Sequence, residues 1–241
     1  MGWISSLIGD AASRQAVDYT VLSLAEPGEG NQIAADQHYL RVWLRSARIV
    51  NVREWTSKFH PAVHARFTYT DRGAGMREVA ATVAPGTAFE ELDPANLDRF
   101  ITINRPLLGP IPYRGQIGME VALFSVKSAD LAKPYLDFLL NLSETAGVSL
   151  LSALQPFAAP IRQGAELLFK NKNYSQLEIG LDKTDTLLRV GNIIAARVPK
   201  GASGFDGLRL DPSDWKLVHA GGAPVTEFPY MVLGVEKVDP A

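Results

Sequence analysis

The chain contains no cysteine. That absence removes disulfides, thiolate metal sites, iron–sulfur clusters and thiol nucleophiles together. It fits a cytoplasmic protein, where thiols stay reduced. An excess of positive charge is also missing: 24 Lys and Arg stand against 26 Asp and Glu, a formal net charge of −2. Proteins that grip nucleic acid through their whole surface are far more basic, so nucleic acid is not the expected partner. No uncharged apolar run reaches the roughly eighteen residues a membrane span needs. The nearest stretch, 148–161, carries Gln155 and Pro156 and is too short.

Several nucleotide and catalytic signatures are absent as well. Gly28-Glu29-Gly30 has no third glycine in place and an acid in its middle, and no Walker lysine pattern occurs. Gly201-Ala202-Ser203-Gly204 lacks the Gly-x-Ser-x-Gly spacing of a nucleophile elbow. The N-terminus matches the formal myristoylation pattern through Gly2 and Ser6, but the bulky Trp3 argues against it. It lacks the basic region of a signal peptide. The expectation for 1–14 is a short amphipathic helix, from Trp3 to about Ser13, packed on the body or on a neighbour.

What remains is an ordinary folded composition, 46% hydrophobic and 21% charged over 241 residues. With no internal repeat or low-complexity linker, one domain over 1–241 is expected. Its dominant signal is period-two alternation. Val17–Leu24 is β-branched and ends at the turn cluster Pro27–Asn31. From Tyr39 to Val50, Leu40, Val42, Leu44 and Val50 mark one face, and Tyr39, Arg41, Trp43 and Arg45 the other. Val63–Tyr69 and Met76–Val83 flank Asp71-Arg72-Gly73-Ala74-Gly75, a hairpin signal. Phe89–Phe100 is acidic and helix-capable, and Phe100–Ile103 reads as a brief strand. Three prolines stiffen Arg105–Gly115 into an extended stretch. Ile117–Val126 follows, with Met119, Val121 and Leu123 on one face. Ser175–Leu181, Gly191–Val198 and Tyr230–Val238 also alternate.

Between these strands the period switches to 3.6. Leu131, Tyr135, Phe138, Leu139 and Leu142 line one helical face. A second helical stretch, from about Val148 to Lys170, is broken by Pro156 and Pro160. The expectation for 128–171 is therefore a helical hairpin inserted into a β-protein.

Candidate chemistry is sparse. His60 and His64 are four apart, which suits a metal only on a helix. Here they fall on a strand, about 13 Å apart, and read as surface residues of a loop and strand. Asp182 with Asp185, and Asp206 with Asp211 and Asp214, would bind calcium only if their loops met. Aspartate is also a common turn residue. No catalytic residue, metal site or cofactor is assigned.

The most specific surface feature is Tyr39, Arg41, Trp43 and Arg45. Arginine among aromatics is the composition of a protein-interface hot spot and also suits stacking on single-stranded nucleic acid. The alternative is a structural one: acidic neighbours pair with the arginines, or the N-terminal helix covers Trp43.

Pro110-Ile111-Pro112-Tyr113-Arg114-Gly115, running into Ile117–Val126, resembles the strand entry of C2-like β-sandwich modules. The resemblance implies a Greek-key sandwich that binds lipid or protein. It carries over no calcium residue, because no Asp-x-Asp pair is present. The expectation is a non-catalytic binding or assembly module that meets a protein partner or its own copy. The alternatives are a peripheral membrane or lipid-binding protein and a hydrolase using Asp206, Asp211 or Asp214.

Overall fold

The computed structural model describes residues 3–15, 17–25, 31–50, 60–73, 75–83, 98–126, 158–170, 175–186, 188–203 and 205–239. Helix α1 spans Trp3–Gln15 and α2 spans Ala158–Phe169. The strands are β1 (Val17–Ala25), β2 (Tyr39–Val50), β3 (His60–Asp71), β4 (Gly75–Val83), β5 (Asp98–Pro112), β6 (Ile117–Val126), β7 (Ser175–Asp185), β8 (Gly191–Pro199), β9 (Arg209–Leu210), β10 (Leu217–Val218) and β11 (Tyr230–Val238). They form a five-stranded sheet in the order β1-β8-β11-β2-β5, a four-stranded sheet in the order β4-β3-β6-β7 and the β9–β10 ribbon. Every strand pairing among the described residues is antiparallel.

The two larger sheets pack face to face because alternation gives each an apolar inner side. Leu40, Val42 and Leu44 of β2 and Met231, Leu233 and Val235 of β11 meet Val63, Ala65 and Phe67 of β3. Met119, Val121 and Leu123 of β6 join the same core, on the one face their spacing predicts. The Asp71–Gly75 hairpin closes β3 onto β4 as expected.

The β2 pattern holds only to Leu44. Val232 pairs with Ser46 while its neighbour Leu233 pairs with Leu44, so Arg45 is an extra residue on β2. A bulge of this kind inverts the side-chain phase. Beyond it the core residues are Ala47 and Ile49, and Val50 is half-buried instead of forming part of the inner row. A second correction concerns β5. The brief strand and the proline stretch are one strand of 15 residues. Pro106, Pro110 and Pro112 are tolerated because, among the described residues, β5 is an edge strand paired with β2 alone.

The outer side of the four-stranded sheet presents Ala62, Ala80 and Ala122 beside Phe124 and Leu177. On these small residues sit Trp3 and Ile4 of α1 and Ala165 and Phe169 of α2. The Phe124 and Phe169 rings stack at 4.3 Å. His64, expected at the surface, is fully buried in this layer and bonds Thr82 Oγ1 at 2.9 Å. An outward-pointing residue becomes core wherever a helix covers the sheet. His60 opens β3. In α2, Pro160 occupies the first turn, where its missing N–H is harmless. The rest of the expected insertion, including the helix over Leu131–Leu142, lies outside the described residues. So do 26–30 and most of the helix-capable stretch beginning at Phe89.

The outer side of the five-stranded sheet is covered over part of its area. Leu208, Leu217, Val225 and Phe228, from a cap formed by 205–228, bury Ile194, Ala196, Val198, Tyr230 and Val232. Two buried side chains anchor the cap. Arg48 donates to Phe228 O at 2.9 Å, and Tyr230 Oη accepts from Leu217 N at 2.9 Å. Among the described residues no helix is long and apolar enough to cross a membrane.

Candidate functional site

Beyond the cap, the outer side of β2 carries Tyr39, Arg41, Trp43 and Arg45, brought together as their alternation requires. Register places Trp43 against Gly234 and Arg41 against Glu236, both on β11. Glu236 is the acidic neighbour that binds the row. Its Oε2 accepts the Trp43 indole N–H at 2.7 Å, and its Oε1 pairs with Arg45 at 2.5 Å. The helix α1 packs on the other sheet and does not cover Trp43.

Arg45 is the centre of the arrangement. One terminal nitrogen donates to Asn104 Oδ1 at 2.6 Å and the other to Glu236. Its guanidinium carbon lies 5.0 Å from the Trp43 ring centroid and 4.7 Å from that of Trp215, both within cation–π range. Only 12% of its side chain is exposed. Gly234 makes room below it: a Cβ there would sit 2.5 Å from Arg45 Nε.

The backbone around this guanidinium is irregular. Three described non-glycine residues have positive φ: Asp36 at 64°, Asn104 at 46° and Trp215 at 65°. Two of them, Asn104 and Trp215, contact Arg45. A bulky residue in the left-handed region is strained and persists only where its surroundings hold it. Trp215 is held by its N–H to Asp211 O at 2.8 Å and by Ser46 Oγ donating to its carbonyl at 2.8 Å. Asp211 and Asp214 are turn-locking residues here. Asp211 accepts Ser213 N and Oγ, which hold its carboxyl below the ordinary range, and Asp214 accepts Lys216 N at 3.0 Å.

Arg41 lies on the other side of Trp43 from Arg45, 5.7 Å from the Trp43 centroid. It stands 3.9 Å from Glu236 Oε2 with a third of its side chain exposed. Tyr39 is 36% exposed. Within the row itself, two arginines stand against one glutamate.

The remaining candidates disperse. Asp182 accepts from Ser5 Oγ at 2.5 Å, and Asp185 pairs with Lys183 at 2.9 Å. Ser203 and Asp206 are exposed in the turns before β9. Among the described residues no group of three or more His, Asp or Glu could hold a metal ion. On the four-stranded sheet Arg66 bridges Glu78 at 3.0 Å and Glu120 at 2.8 Å. Burial raises the Glu120 carboxyl, Arg66 opposes that, and Asp182 directly across the strand pair adds to it.

Sequence reading missed Glu236, Gly234, Asn104 and Trp215. Glu236 falls on the alternating strand Tyr230–Val238, so its presence on one face was visible. That this face adjoins β2 depends on a pairing across almost two hundred residues. No protein-family model, curated protein or solved structure matches the chain.

Proposed function

We propose that this protein is a non-catalytic binding and assembly module that meets a protein partner through Tyr39, Arg41, Trp43 and Arg45. The observation that carries the reading is the convergence of a bulge, a glycine and two left-handed non-glycine residues on Arg45. Strain of this kind concentrates where a surface must be preorganised. Preorganisation lowers the ordering entropy a partner must overcome, which is how a few aromatic and arginine residues come to dominate an interface. In this reading Arg45 and Trp215 set the frame, and Arg41 and Tyr39 are what the partner touches. The two packed sheets support the sandwich part of this reading, and the C2-like likeness, the inserted helical hairpin and a cytoplasmic location are proposed with it. The protein-binding side of that resemblance is favoured over the lipid-binding side, because Trp3 and Ile4 of α1 are spent on packing against the sheet.

Native mass spectrometry of the protein isolated gently from its source tests this. A defined complex should appear, and Tyr39→Ala with Arg41→Ala should dissolve it while leaving the far-ultraviolet spectrum and melting temperature near wild type. A bare monomer, or a complex indifferent to both changes, removes the assignment.

A further inference from the structure

We infer that Arg41 anchors a carboxylate on an acidic segment of the partner protein. This rests on the binding-module reading and assigns the partner's chemistry. Within the row the other charges are already matched. Glu236 is engaged through both oxygens, one by Arg45 and one by the Trp43 indole. Arg45 has both terminal nitrogens bonded and is flanked by two indole rings. Arg41 is different. Its 3.9 Å approach to Glu236 exceeds hydrogen-bond distance, and its guanidinium donates no hydrogen bond among the described residues. It therefore presents a planar set of N–H donors, the geometry that a carboxylate accepts in a bidentate way. Trp43 at 5.7 Å restrains the group, so less freedom is lost on binding. Tyr39, two residues along the same face and about 7 Å away, offers an exposed ring for the segment's apolar atoms.

The same face is poorly built for nucleic acid. Single strands bind by stacking bases on open aromatic rings. Trp43 has Arg41 and Arg45 as its neighbours on the same face, both within cation–π range of its ring, and its N–H is spent on Glu236. One guanidinium with free donors suits one carboxylate, whereas a phosphate backbone is gripped by many cations along its length.

The test uses the full ¹⁵N-labelled chain and follows the indole N–H signal of Trp43, identified by its loss in Trp43→Phe. Three probes are titrated: a short alternating Glu–Ser peptide, its Lys–Ser counterpart and a single-stranded oligonucleotide. The acidic peptide should shift the signal saturably, and less at high salt. Arg41→Gln should weaken it about tenfold or more, as expected for losing a charge-assisted bidentate pair. Tyr39→Ala should weaken it less, and the Lys–Ser peptide should leave the signal in place. No shift with the acidic peptide, equal affinity in Arg41→Gln, or tighter binding of the oligonucleotide overturns the inference. If the acidic peptide fails while Tyr39→Ala with Arg41→Ala still dissolves the native complex, the binding module stands and only the carboxylate assignment falls. If no complex exists at all, the binding-module reading fails first.

Discussion

Arg45 lies across Gly234 at a distance that leaves no room for any other residue there. A Cβ at this position would lie 2.5 Å from Nε, 3.2 Å from the guanidinium carbon and 3.3 Å from Cγ. Arg45 cannot swing away cheaply, because Asn104 and Glu236 hold its terminal nitrogens and Trp43 and Trp215 lie against it. Gly234→Ala should therefore destabilise the fold by about 1–3 kcal/mol, the usual cost of overpacking a filled site. For a chain of this size that lowers the melting temperature by about 2–4 °C per kcal/mol. Placing Gly234→Ala in an Arg45→Ala background should recover most of the loss in a double-mutant cycle. Additive losses would show that the two residues do not compete for the same space.

Trp215 offers a separable test of strain and stacking. Its φ of 65° is unfavourable for any residue with a Cβ. Trp215→Ala removes the ring from Arg45 and keeps the strain. Trp215→Gly removes both. The glycine variant should then be more stable than the alanine variant by about 1 kcal/mol in urea denaturation. Both should loosen Arg45, seen as a shift of the Trp43 indole signal. An alanine variant as stable as the glycine variant would mean that the turn relaxes out of the left-handed region once the ring is gone.

These two residues mark the boundary of what was legible in the chain. Half-buried antiparallel strands announce themselves by alternation, so β1, β2, β6, β8 and β11 and the Asp71–Gly75 hairpin were readable from local pattern alone. The row Tyr39–Arg41–Trp43–Arg45 was readable for the same reason. The bulge at Arg45 was not, since one inserted residue leaves the composition unchanged and only the register against β11 reveals it. Pro106, Pro110 and Pro112 hid the length of β5, because their compatibility with a strand depends on its place at a sheet edge. His64 alternates outward correctly and is buried only because two helices cover that side. Glu236 and Trp215 reach Arg45 from distant segments. Strand order and cap placement are long-range outcomes of core packing, with no signal in a local window.

The Arg66–Glu120 pair predicts a pH dependence of definite sign. Burial raises the Glu120 carboxyl above its ordinary value of 4.5, Arg66 works against that, and Asp182 adds to it. The folded state thus holds this proton to higher pH than the unfolded chain. Below the ordinary value both states are protonated and the group is neutral to stability. As pH rises through the interval up to the raised value, the contribution of Glu120 to stability falls. Asp36, lowered chiefly by its hydrogen bond to Arg114, works in the opposite sense, losing its contribution as pH falls. The difference between wild type and Glu120→Gln isolates the first effect. Urea denaturation from pH 4 to pH 7 should show the variant gaining on wild type as pH rises. A constant difference across that range would place the Glu120 carboxyl at its ordinary value.

Gly180 and Ile8 decide how α1 sits on the body. Gly180 lies on β7, and Ile8 rests over it on the helix. A Cβ at Gly180 would collide with Ile8 Cγ1 and lie 2.7 Å from its Cδ1. Both atoms move together about χ1, but a β-branched isoleucine in a helix has one strongly preferred χ1 rotamer, so clearing them with the helix in place is costly. Nor can α1 slide freely, because Trp3 and Ile4 are buried beside Phe124 and Ser5 is bonded to Asp182. Gly180→Ala should therefore lift α1 locally while the sheets stay intact. Amide exchange at 3–15 should accelerate, by about tenfold for each 1.4 kcal/mol of lost docking energy, with the strand amides of β3 and β6 unchanged. Adding Ile8→Ala should restore much of the protection by removing the colliding atoms. If α1 amides exchange at the wild-type rate in Gly180→Ala, the helix is held by its Trp3 end alone and the Gly180 contact carries no docking energy.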